Sequence, residues 1–311
     1  MSALQTALDE YLGLHRALGF KLEMHGWMLQ RFVQFAERQR ASYITTELAL
    51  QWATQPAHAQ PCRWATRLGV VRRFAQYLSP SDPRVTVPPP DLLPYRYQRA
   101  KPYIYRDEQI KCLVAAARQL RSAHGLRPHT YATLYALYAA TGMRTAEALQ
   151  LDRDDVDLLN GVLTIRHTKF GKSRYVPLHP STRRALQRYA QHRDRLCRNP
   201  ADPSFFLSDS GTRLSNQIAQ KTFVKLSRRI GLRKKGDSRG PRLLDLRHRF
   251  AIQTLLSWHR RGLDVERQLP KLATYLGHVE ITDTYWYLTA TPQLLRYALN
   301  RLERSQRRKR S

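Results

Sequence analysis

Four short segments in the C-terminal two-thirds of the chain carry residue types that can act together on an anion. Arg144 lies in the segment TGMRTAEALQL, where a glycine is predicted to end one helix just before another begins. Free backbone N–H groups at such a junction favour an anion, and Glu147 is expected to hold the guanidinium group in place. Arg247, in LLDLRHRFA, lies beside the apolar face of a predicted helix and is expected to be partly buried. Two fixed guanidinium groups can stabilise negative charge that develops on a phosphate.

The other two segments supply lysines, a histidine and tyrosines. Lys169 and Lys172 lie in the turn of a predicted β-hairpin, TKFGKSRYVPL. His278 lies at the corner after a predicted helix, and the run LGHVEITDTYWYL then places Tyr285 and Tyr287 on the next turns. Taken singly, each segment has an ordinary structural explanation, such as a solvated turn or a packed aromatic cluster. The combination is what suggests a reaction centre.

In this order, the residues resemble the tyrosine recombinase (phage integrase) family over residues 103–300. The resemblance implies that the protein cuts and rejoins DNA strands through a covalent 3′-phosphotyrosyl intermediate. Since the covalent link conserves the energy of the phosphodiester, ATP is not required. The resemblance implies that the arginines take the place of a metal, so no metal or other cofactor is expected. Lys169 would be the general acid for the leaving 5′-oxygen. The implied catalytic residues are Arg144, Lys169, Arg247, His278 and the nucleophile Tyr287, with Glu147 and His248 in supporting roles.

One position departs from the family's pattern. The second arginine is usually preceded, three residues earlier, by a histidine, and here that residue is Leu244. His248 directly follows Arg247, where a histidine in this family is commonly part of the packing pattern. The alternative prediction is therefore a catalytically impaired DNA-binding accessory subunit of a recombination complex.

The elements that must position these residues are mostly helical, with a small antiparallel β-sheet. Residues 1–80 have helical periodicity throughout, and residues 81–102 are predicted to be a proline-rich linker. Residues 103–300 mix helices with a hairpin, and residues 301–311 form a basic tail. The resemblance makes the first part a helical core-binding clamp and the third an α+β catalytic domain. The predicted elements of that domain are helices at about 107–120, 129–140, 181–196, 216–230, 245–260 and 270–276, and strands at 162–167 and 174–178.

The charge balance indicates a polyanionic partner. The chain of 311 residues has 53 Lys and Arg against 24 Asp and Glu, which gives a formal net charge of +29. Double-stranded DNA is the expected partner. A membrane is not, because the most apolar stretch, 131–143, is shorter than the ~20 residues of a spanning helix. With no signal peptide recognised, a cytoplasmic, nucleoid-associated protein is expected. The predicted DNA contacts are Arg63, Arg67, Arg72, Arg73, Lys172 and Arg174.

Strand exchange joins two duplexes and uses four active sites, so the resemblance implies a tetramer on DNA. This tetramer would form from one protein or together with other recombinases of the same element. The ending DTYWYL is most similar to recombinases of mobile elements, which favours integration or transposition. Two further alternatives are a type IB topoisomerase, which shares the chemistry, and a metal-dependent nuclease. The nuclease would use the carboxylates of Asp152, Asp154, Asp155 and Asp157.

Overall fold

The structure is a computed structural model that describes residues 2–95, 102–166, 173–237, 240–289, 292–297 and 299. The chain divides into two compact units, Met1–Ala100 and Lys101–Ser311, and each is described by itself. Within the described ranges the secondary structure is helical except for one three-stranded antiparallel sheet. The predicted fold class is confirmed.

The N-terminal unit is a small helical domain. Side-chain oxygens of Ser2 and Thr45 cap two of its helices by accepting backbone N–H bonds. Its core is aromatic and aliphatic, and Phe32 packs edge-on against Trp52 with ring centroids 5.5 Å apart. The helices are α1 (Ala3–Ala17), α2 (Glu23–Arg38), α3 (Thr46–Thr54) and α4 (Pro61–Leu78).

The first part of the proline-rich segment packs on this helical unit. The backbone N–H of Thr86 donates to the carbonyl of Ile44 at 2.9 Å. The Arg72 side chain donates to the carbonyls of Pro88 and Pro89, at 2.7 and 2.6 Å. Prolines lack an N–H donor, so this segment cannot form the hydrogen bonds of a helix or a central strand. Its carbonyls can still accept hydrogen bonds, and an arginine side chain supplies them. This part of the predicted proline-rich linker is therefore attached to the helices of the N-terminal unit.

The C-terminal unit contains the sheet, whose strand order is β1-β2-β3. These strands are β1 (Val156–Asp157), β2 (Val162–Ile165) and β3 (Arg174–Pro177). Leu163 lies opposite Val156 on one side and Val176 on the other, and all three side chains are buried. The predicted hairpin is present, and β1, with only two residues, is too short to give a periodic signal of its own.

Helices surround this sheet and position the candidate site. The buried helix α6 packs against α5, α8 and α10 and contributes Tyr131, Tyr135 and Tyr138 to the core. The helices are α5 (Asp107–Arg118), α6 (Leu126–Thr141), α7 (Thr145–Leu149), α8 (Pro180–Leu196), α9 (Asn216–Arg229), α10 (Leu243–Arg260), α11 (Val265–Leu276) and α12 (Thr282–Tyr285), and a 3₁₀ turn, Trp286–Thr289, follows α12.

Three helices, α6, α10 and α11, begin two or more residues earlier than the sequence predicts. Helix α10 starts at Leu243, because the carboxylate of Asp245 accepts the backbone N–H of Arg242 at 2.7 Å and caps the first turn. Helix α11 starts at Val265 after the cap Asp264, and it continues through Pro270, which the prediction had taken as the start. Among the described residues, no helix combines the length and apolar character needed to cross a membrane.

Candidate active site

Arg247 lies in the first turns of α10 and is only 4% exposed. Its guanidinium group donates to the carbonyls of Gly142 and Leu276, at 3.0 and 2.8 Å. These carbonyls close the C-terminal ends of α6 and α11, where the helix dipole is negative, so they compensate the buried positive charge. Burial first, and then the nearby charge of Arg144, lower the pKa of Arg247 to about 10. The group therefore stays protonated at neutral pH.

Arg144 lies immediately before α7, at the junction predicted from the sequence. Its Nη1 donates to Glu147 Oε1 at 2.8 Å, and its Nη2 donates to the carbonyl of Gly277 at 2.9 Å. The backbone N–H of Arg144 also donates to Glu147 Oε2, at 2.9 Å. About a third of the Arg144 side chain remains exposed, so the fixed guanidinium still presents a face to a ligand.

A second arginine, Arg174 on β3, also binds Glu147. Its two Nη atoms donate to the two carboxylate oxygens at 3.0 and 2.8 Å, and its Nε donates to the carbonyl of Tyr275 at 2.9 Å. Burial acts to raise the pKa of Glu147, but the hydrogen bonds and charge of Arg174, with the bonds from Arg144, outweigh it and leave that pKa lowered. The Arg174 side chain is 10% exposed, so the structure places it in the support of the site and not at the open surface expected for a DNA contact.

Two glycines make the close approach of these elements possible. Gly142 and Gly277 end α6 and α11 with φ of 62° and 70°, in the left-handed region that glycine adopts without strain. A Cβ at Gly142 would lie 2.5 Å from Phe250 Cδ1, and one at Gly277 would lie 2.7 Å from Arg174 Nη1. A side chain at Gly142 would displace the ring of Phe250, and one at Gly277 would displace the guanidinium group of Arg174.

His278 and Tyr287 lie on the segment that follows α11. The Nδ1 of His278 is 2.7 Å from Thr284 Oγ1, and its ring stacks on the Tyr287 ring with centroids 6.1 Å apart. Tyr287 is 3% exposed, whereas Tyr285 is 44% exposed. The two tyrosines differ in environment, and the one with the histidine partners is Tyr287.

The Tyr287 hydroxyl is also within hydrogen-bond distance of His248, with 3.2 Å between His248 Nδ1 and Tyr287 Oη. The ring of Trp286 also packs against the ring of His248, with centroids 5.3 Å apart. Leu244, at the position where the family usually has a histidine, is 45% exposed on α10.

The remaining predicted site residues are placed elsewhere or lie outside the described residues. Lys169 and Lys172 are in the latter group. On α4, Arg63 and Arg73 are exposed to solvent. Arg67 instead donates to the carbonyls at the end of α3, and Arg72 donates to the proline carbonyls described above. Within the described residues, Arg63 and Arg73 are the two of these four arginines whose side chains are exposed.

The acidic run before β2 is used in structural pairs. Asp152 binds Arg213 at 2.6 Å, and Asp155 binds Arg166. Asp157 accepts the side-chain amide of Asn160 at 2.7 Å. In the part of the chain that the structure describes, no three His, Cys, Asp or Glu side chains come together in a group that could hold a metal ion.

Sequence reasoning missed two features of this site. One is the role of Arg174, because its partner Glu147 comes from a different element. The other is Thr284, which holds the ring of His278. Thr284 follows His278 by six residues across a helix start, and this short spacing could have suggested their contact. The contact between Arg174 on β3 and Glu147 on α7 joins residues far apart in sequence, and no local pattern indicates it.

Comparison with known proteins gives matches along nearly the whole chain. The profile described as "Phage integrase family" matches residues 104–293. The integrase/recombinase y4rB of Sinorhizobium fredii is 48% identical over 308 residues, 98% of each chain. The tyrosine recombinase XerC of Herpetosiphon aurantiacus is 30% identical over 285 residues, 89% of this chain and 87% of XerC. The Tn1549 transposon integrase, solved in complex with circular intermediate DNA, aligns with a TM-score of 0.66 at 17% identity over 97% of this chain and 100% of that one.

Proposed function

The chain belongs to the phage integrase family of tyrosine recombinases, and from this we propose that it is an active site-specific recombinase that cuts and rejoins DNA through Tyr287. The resemblance predicted from the sequence is confirmed at the level of the family. The observation that carries the proposal is the convergence of Arg144, Arg247, His278 and Tyr287 at the ends of α6, α10 and α11.

The two arginines would bind the phosphate that is cut. Attack on a phosphodiester increases the negative charge on its non-bridging oxygens, and guanidinium groups held in place before the reaction stabilise that charge without reorganisation. Arg247 is fixed by two carbonyls and Arg144 by Glu147 and the Gly277 carbonyl, so both are held before substrate arrives.

The nucleophile in this proposal is the Tyr287 hydroxyl. Its oxygen forms a bond to phosphorus while the bond to the 5′-oxygen breaks, which leaves a 3′-phosphotyrosyl link and a free 5′-hydroxyl. Lys169 would protonate the leaving 5′-oxygen, and His278 would bind the phosphate and position the tyrosine ring. The link preserves the energy of the phosphodiester, so the strand is rejoined without ATP and without a cofactor.

We extend the proposal to the assembly that strand exchange requires. Four cleavages in two duplexes need four copies of the site, and therefore a tetramer on double-stranded DNA, formed by this protein alone or with other recombinases of the same element. The helical unit at 1–80 would clamp the duplex with the catalytic domain, using exposed arginines such as Arg63 and Arg73. The similarity to a transposon integrase favours a mobile element that is integrated or transposed, in the cytoplasm and on the nucleoid.

Covalent trapping on DNA tests this proposal. Nicked duplexes from the DNA that flanks the gene are incubated with protein in EDTA, and adducts that resist SDS are counted. We expect adducts with the wild type and with Tyr285→Phe, and none with Tyr287→Phe. Adducts that persist in Tyr287→Phe would overturn the assignment of the nucleophile, and adducts that require magnesium would overturn the chemistry.

The alternative, a catalytically impaired accessory subunit, is favoured by Leu244 alone. It predicts tight DNA binding without adducts in the wild type and adducts after Leu244→His. The same trapping experiment therefore distinguishes the active recombinase from the accessory subunit.

A further inference from the structure

The hydroxyl group of Tyr287 lies within hydrogen-bond distance of His248, for which the family resemblance implies only a supporting or packing role. We propose that His248 is a catalytic residue, whose Nδ1 accepts the proton of Tyr287 as the hydroxyl attacks. This inference rests on the proposed function, since it assigns the base for that same reaction. The main support for it is the distance of 3.2 Å between His248 Nδ1 and Tyr287 Oη.

Chemistry explains why a base is required at this place. A tyrosine phenol ordinarily has a pKa of about 10, so it is protonated at neutral pH and is a weak nucleophile. An imidazole, with an ordinary pKa of about 6.5, is the side chain best suited to take a proton near neutrality. Tyr287 is almost fully buried, so its proton cannot leave directly to bulk water. His248 provides an acceptor within reach.

Helix geometry explains how His248 can replace the histidine that the family usually has at the position of Leu244. Residues four apart on α10 lie on the same face, one turn above the other. Helical side chains lean toward the N-terminus, so the side chain of His248 covers the turn that contains Leu244. The same region can thus be reached from either position.

The neighbouring rings keep His248 and His278 in different roles. His278 uses its Nδ1 for Thr284 and meets Tyr287 ring against ring, with an interplanar angle of 15°. His248 packs against both Trp286 and Tyr287, at 5.3 and 5.6 Å between ring centroids, and its Nδ1 lies 3.2 Å from the tyrosine hydroxyl. One histidine is placed to orient the tyrosine and the other to take its proton.

The step balances without any further reactant. As the Tyr287 oxygen bonds to phosphorus, its proton moves to His248 Nδ1, which requires the tautomer with the proton on Nε2. The phosphorus–O5′ bond breaks, the electron pair stays on the 5′-oxygen, and the general acid protonates it. In the rejoining step His248 returns the proton to the leaving tyrosine oxygen.

The experiment measures the rate of adduct formation on two substrates, the natural duplex and one with sulfur in place of the bridging 5′-oxygen. A thiolate leaves without being protonated, so the second substrate bypasses the general acid but still requires deprotonation of the tyrosine. The variants are His248→Gln, which keeps a hydrogen-bond acceptor but takes no proton, and His248→Ala, which leaves space for added imidazole. His259→Ala, on the same helix, is the matched control, and DNA binding and melting temperature are recorded for each variant.

We expect His248→Gln to slow adduct formation about 100-fold or more on both substrates, because loss of a general base typically costs 10²–10⁴-fold. Added imidazole should restore part of the rate of adduct formation to His248→Ala. The double variant His248→Ala with Leu244→His should also recover part of this rate, because its histidine lies one helical turn away. His259→Ala reacts like the wild type.

Each result decides one question. If the wild type forms no adduct on the sulfur substrate, the proposed function fails. If the wild type reacts and His248→Gln reacts equally fast, only the role of His248 is refuted. If the defect of His248→Gln disappears on the sulfur substrate, His248 acts on the leaving group and the proposal is overturned. A lowered melting temperature with no rescue by imidazole would make the residue structural and would also overturn it.

Discussion

At the residue scale, Glu147 connects the candidate catalytic arginine Arg144 with a second arginine, Arg174. Its carboxylate accepts hydrogen bonds from both guanidinium groups and is itself largely buried. A buried carboxylate that lost one of these partners would keep its desolvation penalty with less compensation. The position of Arg144 therefore depends in part on Arg174, which has no phosphate-binding role in the proposed reaction.

The change Arg174→Gln is expected to make the protein sensitive to mild acid. The pKa of Glu147 is lowered in the folded state, so this carboxylate contributes stability above its unfolded pKa, and that stability is lost as the pH falls through the folded value. Without Arg174 the folded pKa rises, and the loss begins at higher pH. We expect a destabilisation of about 3 kcal/mol at neutral pH, as for a broken buried pair.

Melting temperature against pH measures this effect. The control is Arg153→Gln, which breaks a pair with Asp194 whose side chains are 50% and 42% exposed. That pair is expected to contribute about 0–1 kcal/mol, with little change in the pH profile. Equal profiles for the two variants would show that Arg174 does not stabilise the Glu147 charge. A loss of DNA affinity without a change in stability would return Arg174 to the role of a DNA contact.

The candidate site residues were predicted from the sequence, whereas most of the groups that hold them were not. Order and residue type along the chain indicated Arg144, Arg247, His278 and Tyr287, and these do converge. The partner of Arg247 could not be read, because two backbone carbonyls serve where an acidic side chain had been sought. Carbonyl groups occur at every residue, so only the fold determines which of them meet a guanidinium.

At the element scale, the site is built from helix ends. The C-terminal ends of α6 and α11 supply carbonyls to the arginines, and the left-handed glycines at these ends permit the close approach. The sequence predicted that both helices end at these glycines, because glycine is favoured at such a cap. The start of α11 was predicted less well, since Asp264 gives the cap and Pro270 is accommodated within the helix.

The change Gly142→Ala tests the packing of these ends, with Gly231→Ala as its match. Both glycines have positive φ, 62° and 74°, but an added Cβ meets Phe250 at 2.5 Å in the first and nothing within 4 Å in the second. Gly231→Ala should cost about 1–2 kcal/mol for the backbone alone. Gly142→Ala should cost a further 1–3 kcal/mol or so, as overpacking does.

Urea unfolding of the two variants gives the difference directly. Gly142→Ala should also slow adduct formation, because the carbonyl of Gly142 holds Arg247. Partial recovery of stability in the pair Gly142→Ala with Phe250→Leu would identify the contact. Equal costs for the two glycines would show that the space around Gly142 is not limiting.

At the scale of the whole molecule, the charge of +29 is the dominant property. Proteins that neutralise DNA phosphates release counterions, so affinity falls steeply as salt increases. The charge alone predicted the class of partner, but not which arginines meet it. Of the four arginines predicted on α4, Arg63 and Arg73 are exposed. The side chains of Arg67 and Arg72 donate hydrogen bonds to backbone carbonyls.

Binding of Arg63→Gln and Arg72→Gln to a duplex, measured against salt concentration, should separate these two groups. Arg63→Gln is expected to reduce the slope of log K against log salt by about one phosphate contact and to leave the melting temperature unchanged. Arg72→Gln is expected to keep the slope and lower the melting temperature, since it releases the segment at Pro88 and Pro89. The opposite pattern would mean that Arg72 leaves the prolines to bind DNA.

The two carbonyls that hold Arg247 also affect how the gene can vary. An anchor made of backbone survives any replacement of the anchoring side chain that keeps the helix end in place. Another apolar residue could therefore serve at the buried position 276, whereas position 142 has no room for a side chain. An arginine held in this way has no partner side chain with which to co-vary, and over long divergence its support would be inherited as the path of the chain.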